Sequence, residues 1–369
     1  MKKKIYISAI NFTTGGPLSV MTDCLKALSS EYGTKLEIIA LVNSKDLYNI
    51  PNIKYLEFPL SKKSWFFRLF YEYIYFYLFS LKEKPNYWLS LHDITPNVKC
   101  ENRFVYCHNP TPFYSKKIKD LINNPKTYLF AKFYKYLYRI NIKKNKYVIV
   151  QQEWIRAEFI KFWNLNNVLV AHPEVPELFL NNPEIKPENS KTLNKKVFFY
   201  PSLPRPFKNF EIICEAYLLL PDTYKKKCII NLTISEELNS YARNLVRKYH
   251  KEEGINFLGL ISRKEVYKNY LNSDCLIFPS KLETWGLPIT EYKSTKKPIL
   301  LINKAYAKET LGDYNKVSFF DSDSSAQLSN LMIGIIDNTI IFDKNKVADV
   351  AQPHTKGWLN LLEKIFDNG

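Results

Sequence analysis

Glycine is scarce in this sequence, with 10 residues among 369. No G-x-G-x-x-G run is present, so the usual fingerprint of a bound dinucleotide is missing. The six cysteines (Cys24, Cys100, Cys107, Cys214, Cys228, Cys275) form no C-x-x-C pair and have no histidine at zinc-binding spacing. They sit in apolar runs where cysteine behaves as a small hydrophobe, which argues against a disulfide scaffold and for a reducing cytoplasm. Long uncharged apolar runs are lacking too. The most apolar window, Trp65 to Leu81, reaches only the lower limit for spanning a bilayer, and Arg68 and Glu72 interrupt it. Their i, i+4 spacing is that of an ion pair on a helix surface, so a buried or membrane-surface helix is expected. Met1-Lys2-Lys3-Lys4 leads into a short apolar stretch that soon meets Asn11 and Thr13, which reads as a first strand and not as a signal peptide. No internal repeat or low-complexity tract is visible.

Acidic residues are outnumbered. Lys and Arg total 53 against 36 Asp and Glu, a net charge of +17. Residues 1–185 carry +11 of this and the remainder +6. Such a surface suits nucleic acid, anionic lipid or a phosphorylated substrate. Aromatic residues make up 15% of the chain, with 26 Tyr and 24 Phe. Apolar and charged fractions of 46% and 24% are those of a globular protein, and the length suggests two domains.

Patterning gives strand–helix alternation in two blocks. In the first, strands are expected at Lys4–Ile10, Lys35–Val42, Lys54–Phe58, Tyr87–Leu91, Phe104–Cys107 and Tyr147–Gln151, with helices at 17–30, 65–81 and from Glu153. Residues 116–146 read as a Lys- and Tyr-rich stretch, helical in its second part. Four prolines between 173 and 187 then mark a linker. Strands are expected again at Val197–Tyr200, Cys228–Thr233, Ile255–Leu258, Cys275–Pro279, Pro298–Ile302 and Val317–Phe320. Helices fall at 209–220, 236–249 and 263–271 and from Pro288, and Trp358–Phe366 is an amphipathic helix. The expected fold class is α/β with two Rossmann-like domains. The boundaries are 1–180, a linker at 181–195, and 196–354, with helix 355–369 packing back on the first domain.

Four places could carry chemistry. Gly15-Gly16 follows the first strand, where a glycine pair lets the backbone approach a ligand closely; a plain tight turn is the alternative. His108 stands at a strand's carboxyl end, where open α/β sheets gather ligands, and His92 ends the preceding strand in the same way. Arg205 and Lys208 share one βα turn and could cradle a diphosphate, Arg with a planar fork and Lys with a point charge. Glu283 and Glu291 flank Gly286-Leu287, one in a loop after a strand and one about a turn into the next helix. Both carboxylates could accept hydrogen bonds from sugar or ribose hydroxyls. Asp321-Ser322-Asp323 has the form of a metal-binding D-x-D, but its serine-rich setting reads as a turn.

The E-x7-E element after Phe278-Pro279-Ser280 resembles the signature of retaining glycosyltransferases of GT-B fold, in particular glycosyltransferase family four. Gly15-Gly16, Arg205 with Lys208, and Phe257-Leu258-Gly259 fit in order. The resemblance implies a nucleotide-diphosphate-sugar donor held by the second domain across a cleft from an acceptor domain, with no cofactor and no metal. Arg205 and Lys208 would hold the diphosphate, Glu283 the transferred sugar and Glu291 the ribose. Leu260 and Ile261 would meet the base, Gly286 and Leu287 would present backbone amides, and Gly15, Gly16 and His108 would lie near the phosphate and sugar. The chain departs from the family pattern at Pro201-Ser202, where a Gly-Arg pair is usual, and at Ile234–Glu237, where a Gly-rich turn is usual. The acceptor implied is a glycan or lipid-linked molecule of a bacterial surface polysaccharide or lipopolysaccharide pathway. The basic aromatic stretches 62–84 and 116–146 suit a peripheral site on the inner membrane face better than nucleic acid, for which no motif is present. A GT-B sugar-nucleotide epimerase and a non-enzymatic basic surface binder stand as alternatives.

Overall fold

The computed structural model describes residues 2–113, 125–174 and 195–366. The chain divides into two compact units, Met1–Glu174 with Val350–Gly369, and Val175–Asp349. The first holds β1 (Lys3–Ala9), β2 (Leu36–Val42), β3 (Ile53–Glu57), β4 (Tyr87–Ser90), β5 (Asn102–Cys107), β6 (Tyr147–Val150) and β7 (Val168–His172). The second holds β8 (Lys196–Tyr200), β9 (Cys228–Leu232), β10 (Ile255–Phe257), β11 (Cys275–Phe278), β12 (Ile299–Ile302) and β13 (Val317–Phe320). β14 (His354–Lys356) returns to the first.

The first sheet runs β14-β7-β6-β5-β4-β1-β2-β3 and all its pairings are parallel. Strands covered on both faces read as near-continuous apolar runs, which is why Ile5–Ala9, Leu89 and Val148–Val150 need no polar alternation. Alternate residues serve opposite faces. Ile5 and Ile7 join Leu25, Leu28, Leu361 and Leu362 on one side, and Tyr6 joins Phe76 and Trp88 on the other. The second sheet runs β10-β9-β8-β11-β12-β13, again parallel throughout. Its order reverses between β8 and β11, as the first sheet's does between β1 and β4.

The aromatic segment departs from the surface-pair expectation. It runs as α-helix Trp65–Phe70, a π-helical stretch Tyr71–Tyr75 and α-helix Phe76–Glu83. Arg68 and Glu72 are buried, while Phe66, Phe70, Ile74 and Leu78 face outward. Several elements have no counterpart in the sequence reading: β7, β14, and helices Ala305–Leu311 and Ser325–Asp337. The helix expected from 236 begins at Ser240, where the Asn239 side chain accepts from the Ala242 amide at 2.9 Å. Of the Lys- and Tyr-rich stretch, Pro125–Arg139 is helical, and 116–124 lies outside the described residues. The expected linker 181–195 lies outside them as well, apart from Lys195.

Candidate functional site

A parallel sheet opens a crevice at the carboxyl ends of its strands where the strand order reverses. In the second unit this point lies between β8 and β11, so the loops that follow those strands border the crevice. The loop after β8 carries Arg205 and Lys208; the loop after β11 carries Glu283. Lys208 Nζ donates directly to Glu283 Oε1, forming a largely sheltered ion pair with side chains 18% and 15% exposed. Proline at 204 and 206 stiffens the first loop ahead of the single turn Pro206–Lys208. Asn209 closes that turn at φ 58°, and its amide donates to the carbonyls of Pro279 (3.4 Å) and Ser322 (3.1 Å). The Lys281 amide donates to the Phe207 carbonyl at 2.7 Å. Buried Tyr200 donates to the Lys208 carbonyl at 3.0 Å, and buried Tyr306 to the Ser280 carbonyl. Each loop is therefore fixed by the other, and the ion pair sits on a rigid mount. Arg205 is exposed beside it at the start of the turn.

Glu291 is placed one element deeper. Gly286 turns the chain at φ 90° into helix Leu287–Lys293, which puts Leu287 at the helix start and Glu291 on its buried side. A Cβ at 286 would come within 3.2 Å of Ile289 and 3.5 Å of the Phe278 ring, so glycine is needed for both conformation and space. Glu291 accepts from the Arg263 guanidinium at 3.2 Å and from Tyr267 at 3.5 Å on one oxygen, and from Tyr270 at 2.9 Å on the other. All three donors lie on helix Arg263–Asn272, entered from Gly259 (φ 72°) through exposed Leu260 and half-buried Ile261. The sequence reading passed over Arg263, Tyr267 and Tyr270. Their i, i+4 and i, i+3 spacing on one helix was the available signal. Burial and the Glu291 charge push the Tyr270 hydroxyl well above the usual tyrosine range, so it remains a donor.

In the first unit Gly15 (φ 70°) and Gly16 open helix Gly15–Tyr32 after β1. No neighbouring atom lies within 4 Å of a Cβ built at Gly16, so the turn is open. His108 follows β5, packed at 5.3 Å from the Phe12 ring. Its turn is gripped by Asp93, which sits at φ 73°. One Asp93 oxygen accepts from the His108 amide (2.7 Å), the Asn109 amide (3.0 Å) and the Tyr138 hydroxyl (2.9 Å). The other oxygen lies 3.6 Å from His108 Nε2. His92 is wholly buried and so is not a ligand-facing group. Its Nε2 lies 3.0 Å from Ser8 Oγ and 3.1 Å from Glu72 Oε1, and Arg68 donates to its carbonyl at 3.0 Å. Burial holds the His92 ring well below its usual range, that is, neutral, and pushes the Glu72 carboxyl up to about 8. Asp323 of the D-x-D pairs with Lys281 at 3.2 Å, and Asp321 lies in the turn before helix Ser325–Asp337.

Residues 181–351 match the family model described as glycosyl transferases group 1. No curated protein matches the sequence. Among solved structures, sucrose-phosphate synthase from Thermosynechococcus elongatus is 13% identical, with a TM-score of 0.65 over 92% of this chain and 90% of its own. WaaG, a glycosyltransferase involved in lipopolysaccharide biosynthesis, is 12% identical, with a TM-score of 0.66 over 90% of each chain. Anabaena Alr3699/HepE in complex with UDP-glucose is 14% identical, with a TM-score of 0.62 over 91% of this chain and 90% of its own. The chain thus matches the glycosyl transferases group 1 family over residues 181–351, on the fold that it shares with GT-B glycosyltransferases.

Proposed function

We propose that the protein is a retaining, metal-independent glycosyltransferase. It would move a hexosyl-type sugar from a nucleotide-diphosphate sugar to a glycan or lipid-linked acceptor in surface-polysaccharide or lipopolysaccharide assembly. The observation that carries this reading is the Lys208–Glu283 pair across the β8/β11 reversal, with Arg205 alongside. A diphosphate arriving there offers Lys208 more negative charge than one carboxylate does. Lys208 and Arg205 then take the phosphate oxygens, and Glu283 is released to accept hydrogen bonds from the sugar. The bond from the anomeric carbon to the diphosphate breaks as the acceptor oxygen attacks the same face. The acceptor's proton passes to the departing phosphate, whose growing charge Lys208 and Arg205 stabilise. Glu291 would bind the ribose, and Leu260 and Ile261 would border the base. The first unit would supply the acceptor side, with His108 and Gly15-Gly16 near the sugar. The bound UDP-glucose of the Anabaena structure and the lipopolysaccharide role of WaaG support the donor class and the pathway.

A thermal-shift panel of UDP, GDP, dTDP, ADP and CMP, with and without magnesium, tests the donor site. At a concentration near 100 times Kd, one nucleoside diphosphate should stabilise by about 2.7 kcal/mol, or about 5–10 °C. The shift should be independent of magnesium and lost in Lys208→Ala. Nucleotide-sugar turnover should fall by about 10²–10³ in Glu283→Gln. A panel with no shift for any nucleotide would overturn the reading.

A further inference from the structure

The segment Trp65–Glu83 is built inside out. A helix on a soluble protein normally turns its apolar stripe to the core and its charges to water. Here Arg68 and Glu72 point inward, to the His92 carbonyl and the His92 ring, and the large apolar residues point outward. Phe66 is 73% exposed, Ile74 54% and Leu78 61%. The π-helical stretch Tyr71–Tyr75 keeps that outward face in line along the segment, because its wider turn cancels the drift of an α-helical stripe.

A second stripe lies beside it. On helix Pro125–Arg139 and the residue that follows, Leu129 (62% exposed), Phe133, Tyr136 (60% exposed) and Ile140 recur at i, i+4, i+7 and i+11. The stripes adjoin where the Trp65 ring meets Phe133 edge-on at 5.6 Å and Tyr134 at 5.9 Å. Two neighbouring helices thus present one apolar face, larger than the scattered exposed hydrophobics of an ordinary surface. Among the described residues of the two segments, the exposed charged side chains are basic. Lys62, Lys63, Lys82 and Lys84 are exposed at the ends of the first segment, and Lys132 and Arg139 on the second. Helix Pro125–Arg139 has no acidic residue, and of the two in the first segment Glu72 is buried and Glu83 is tied to Lys4 and Tyr6.

We infer that this face is a docking surface for an anionic lipid bilayer, with Phe66, Ile74, Leu78, Leu129 and Tyr136 entering the headgroup layer and the lysines holding the acidic headgroups. Apolar burial without cations would serve a protein groove equally well; exposed apolar residues flanked by lysines at both ends of the first segment match the chemistry of an acidic bilayer. The inference deepens the proposed function by placing a lipid-linked acceptor beside the enzyme, but its test does not depend on transfer.

The test is co-sedimentation of the full chain with phosphatidylglycerol-containing vesicles and with pure phosphatidylcholine vesicles, at low and high salt. Binding to the acidic vesicles should be at least about 10-fold stronger and should weaken with salt. The triple variant Phe66→Ser/Leu78→Ser/Tyr136→Ser should lose about 10-fold or more in vesicle binding while keeping the parent's nucleotide-sugar turnover. Lys62→Glu/Lys63→Glu/Lys132→Glu should abolish the preference for acidic lipid. Equal binding to both vesicles, no binding, or an undiminished triple variant would overturn the inference. So would light scattering showing a dimer that the triple variant lacks, since a second copy would then cover the face. Glu283→Gln should bind vesicles as the parent does. Absence of turnover in the parent protein, with vesicle binding intact, would therefore sink the transfer reading alone.

Discussion

Glu72 lies on the buried side of its helix, 3.1 Å from the His92 ring and one turn from Arg68, with no surface exposure. Burial raises its carboxyl from 4.5 to about 8, so between those values the native state keeps a proton that the unfolded chain gives up. Its contribution is complete below about pH 4.5 and is lost as the pH rises toward 8. His92 acts in the opposite sense. Its ring is held neutral, so its contribution is lost as the pH falls below the ordinary histidine range near 6.5. Comparing Glu72→Gln with the parent isolates the first term. The Tm of the variant relative to the parent should rise between pH 5 and pH 8, by on the order of 10 °C. A constant difference across that range would show that Glu72 is ionised in the native protein. None of this was visible in the sequence, where charges four apart on a helix read as a solvated pair. Lys208 and Glu283 were legible one at a time, each from its own loop. Their pairing was not, because it depends on strand order, which places β11 beside β8 although 74 residues separate the two.

At the scale of elements, the loop between β11 and helix Leu287–Lys293 turns on Gly286. Alanine there would have to hold φ near 90° and press its methyl against Ile289 and Phe278. A cost of about 1–3 kcal/mol is expected, together with a displaced Glu283 loop. Gly286→Ala should therefore lower the Tm and raise the KM for the donor; a parent-like KM would show that the loop tolerates the shift. Asn239 has two roles, capping helix Ser240–Tyr249 and donating to the Pro204 carbonyl at 2.9 Å. Asn239→Ala should cost about 1 kcal/mol from the cap, and loosen the turn before Arg205, measurable as a weaker diphosphate Kd. Most strands were legible because buried parallel strands read as short apolar runs, as Cys275–Phe278 and Ile299–Ile302 do. β14 was not. His354-Thr355-Lys356 carries no apolar pattern, and it is a strand only because β7 offers an edge to pair with. The segment Trp65–Glu83 was recognised as a helix from its apolar run, but the side taken by Arg68 and Glu72 was not, since two opposite charges four apart on a helix ordinarily face water.

At the scale of the whole molecule, the chain leaves the first unit near residue 174 and returns to it near 350. The returning segment is integral to that unit. β14 extends the sheet beyond β7, and Leu361, Leu362 and Ile365 are buried in the core with Ile5, Ile7 and Leu28. Arg156 anchors the approach by donating to the carbonyls of Ala351 (2.7 Å) and Pro353 (2.6 Å). Three fully buried aliphatic side chains contribute about 1.5–3 kcal/mol each, a large part of a domain's net stability. A chain ending at residue 349 should lose the unfolding transition of the first unit, measured by calorimetry, while the second keeps its diphosphate-dependent shift. Survival of both transitions would show that the return segment is dispensable.

This connectivity also sets the order of events during synthesis. The unit translated first is completed last, because its eighth strand and three of its core residues emerge only after the whole second unit has been made. At 5–20 residues per second that delay is roughly 10–30 s, during which β7 presents an unpaired edge and Ile5 and Leu28 lack their cover. The nascent first unit thus exposes an open sheet edge and part of its apolar core until the segment ending at residue 366 has joined it.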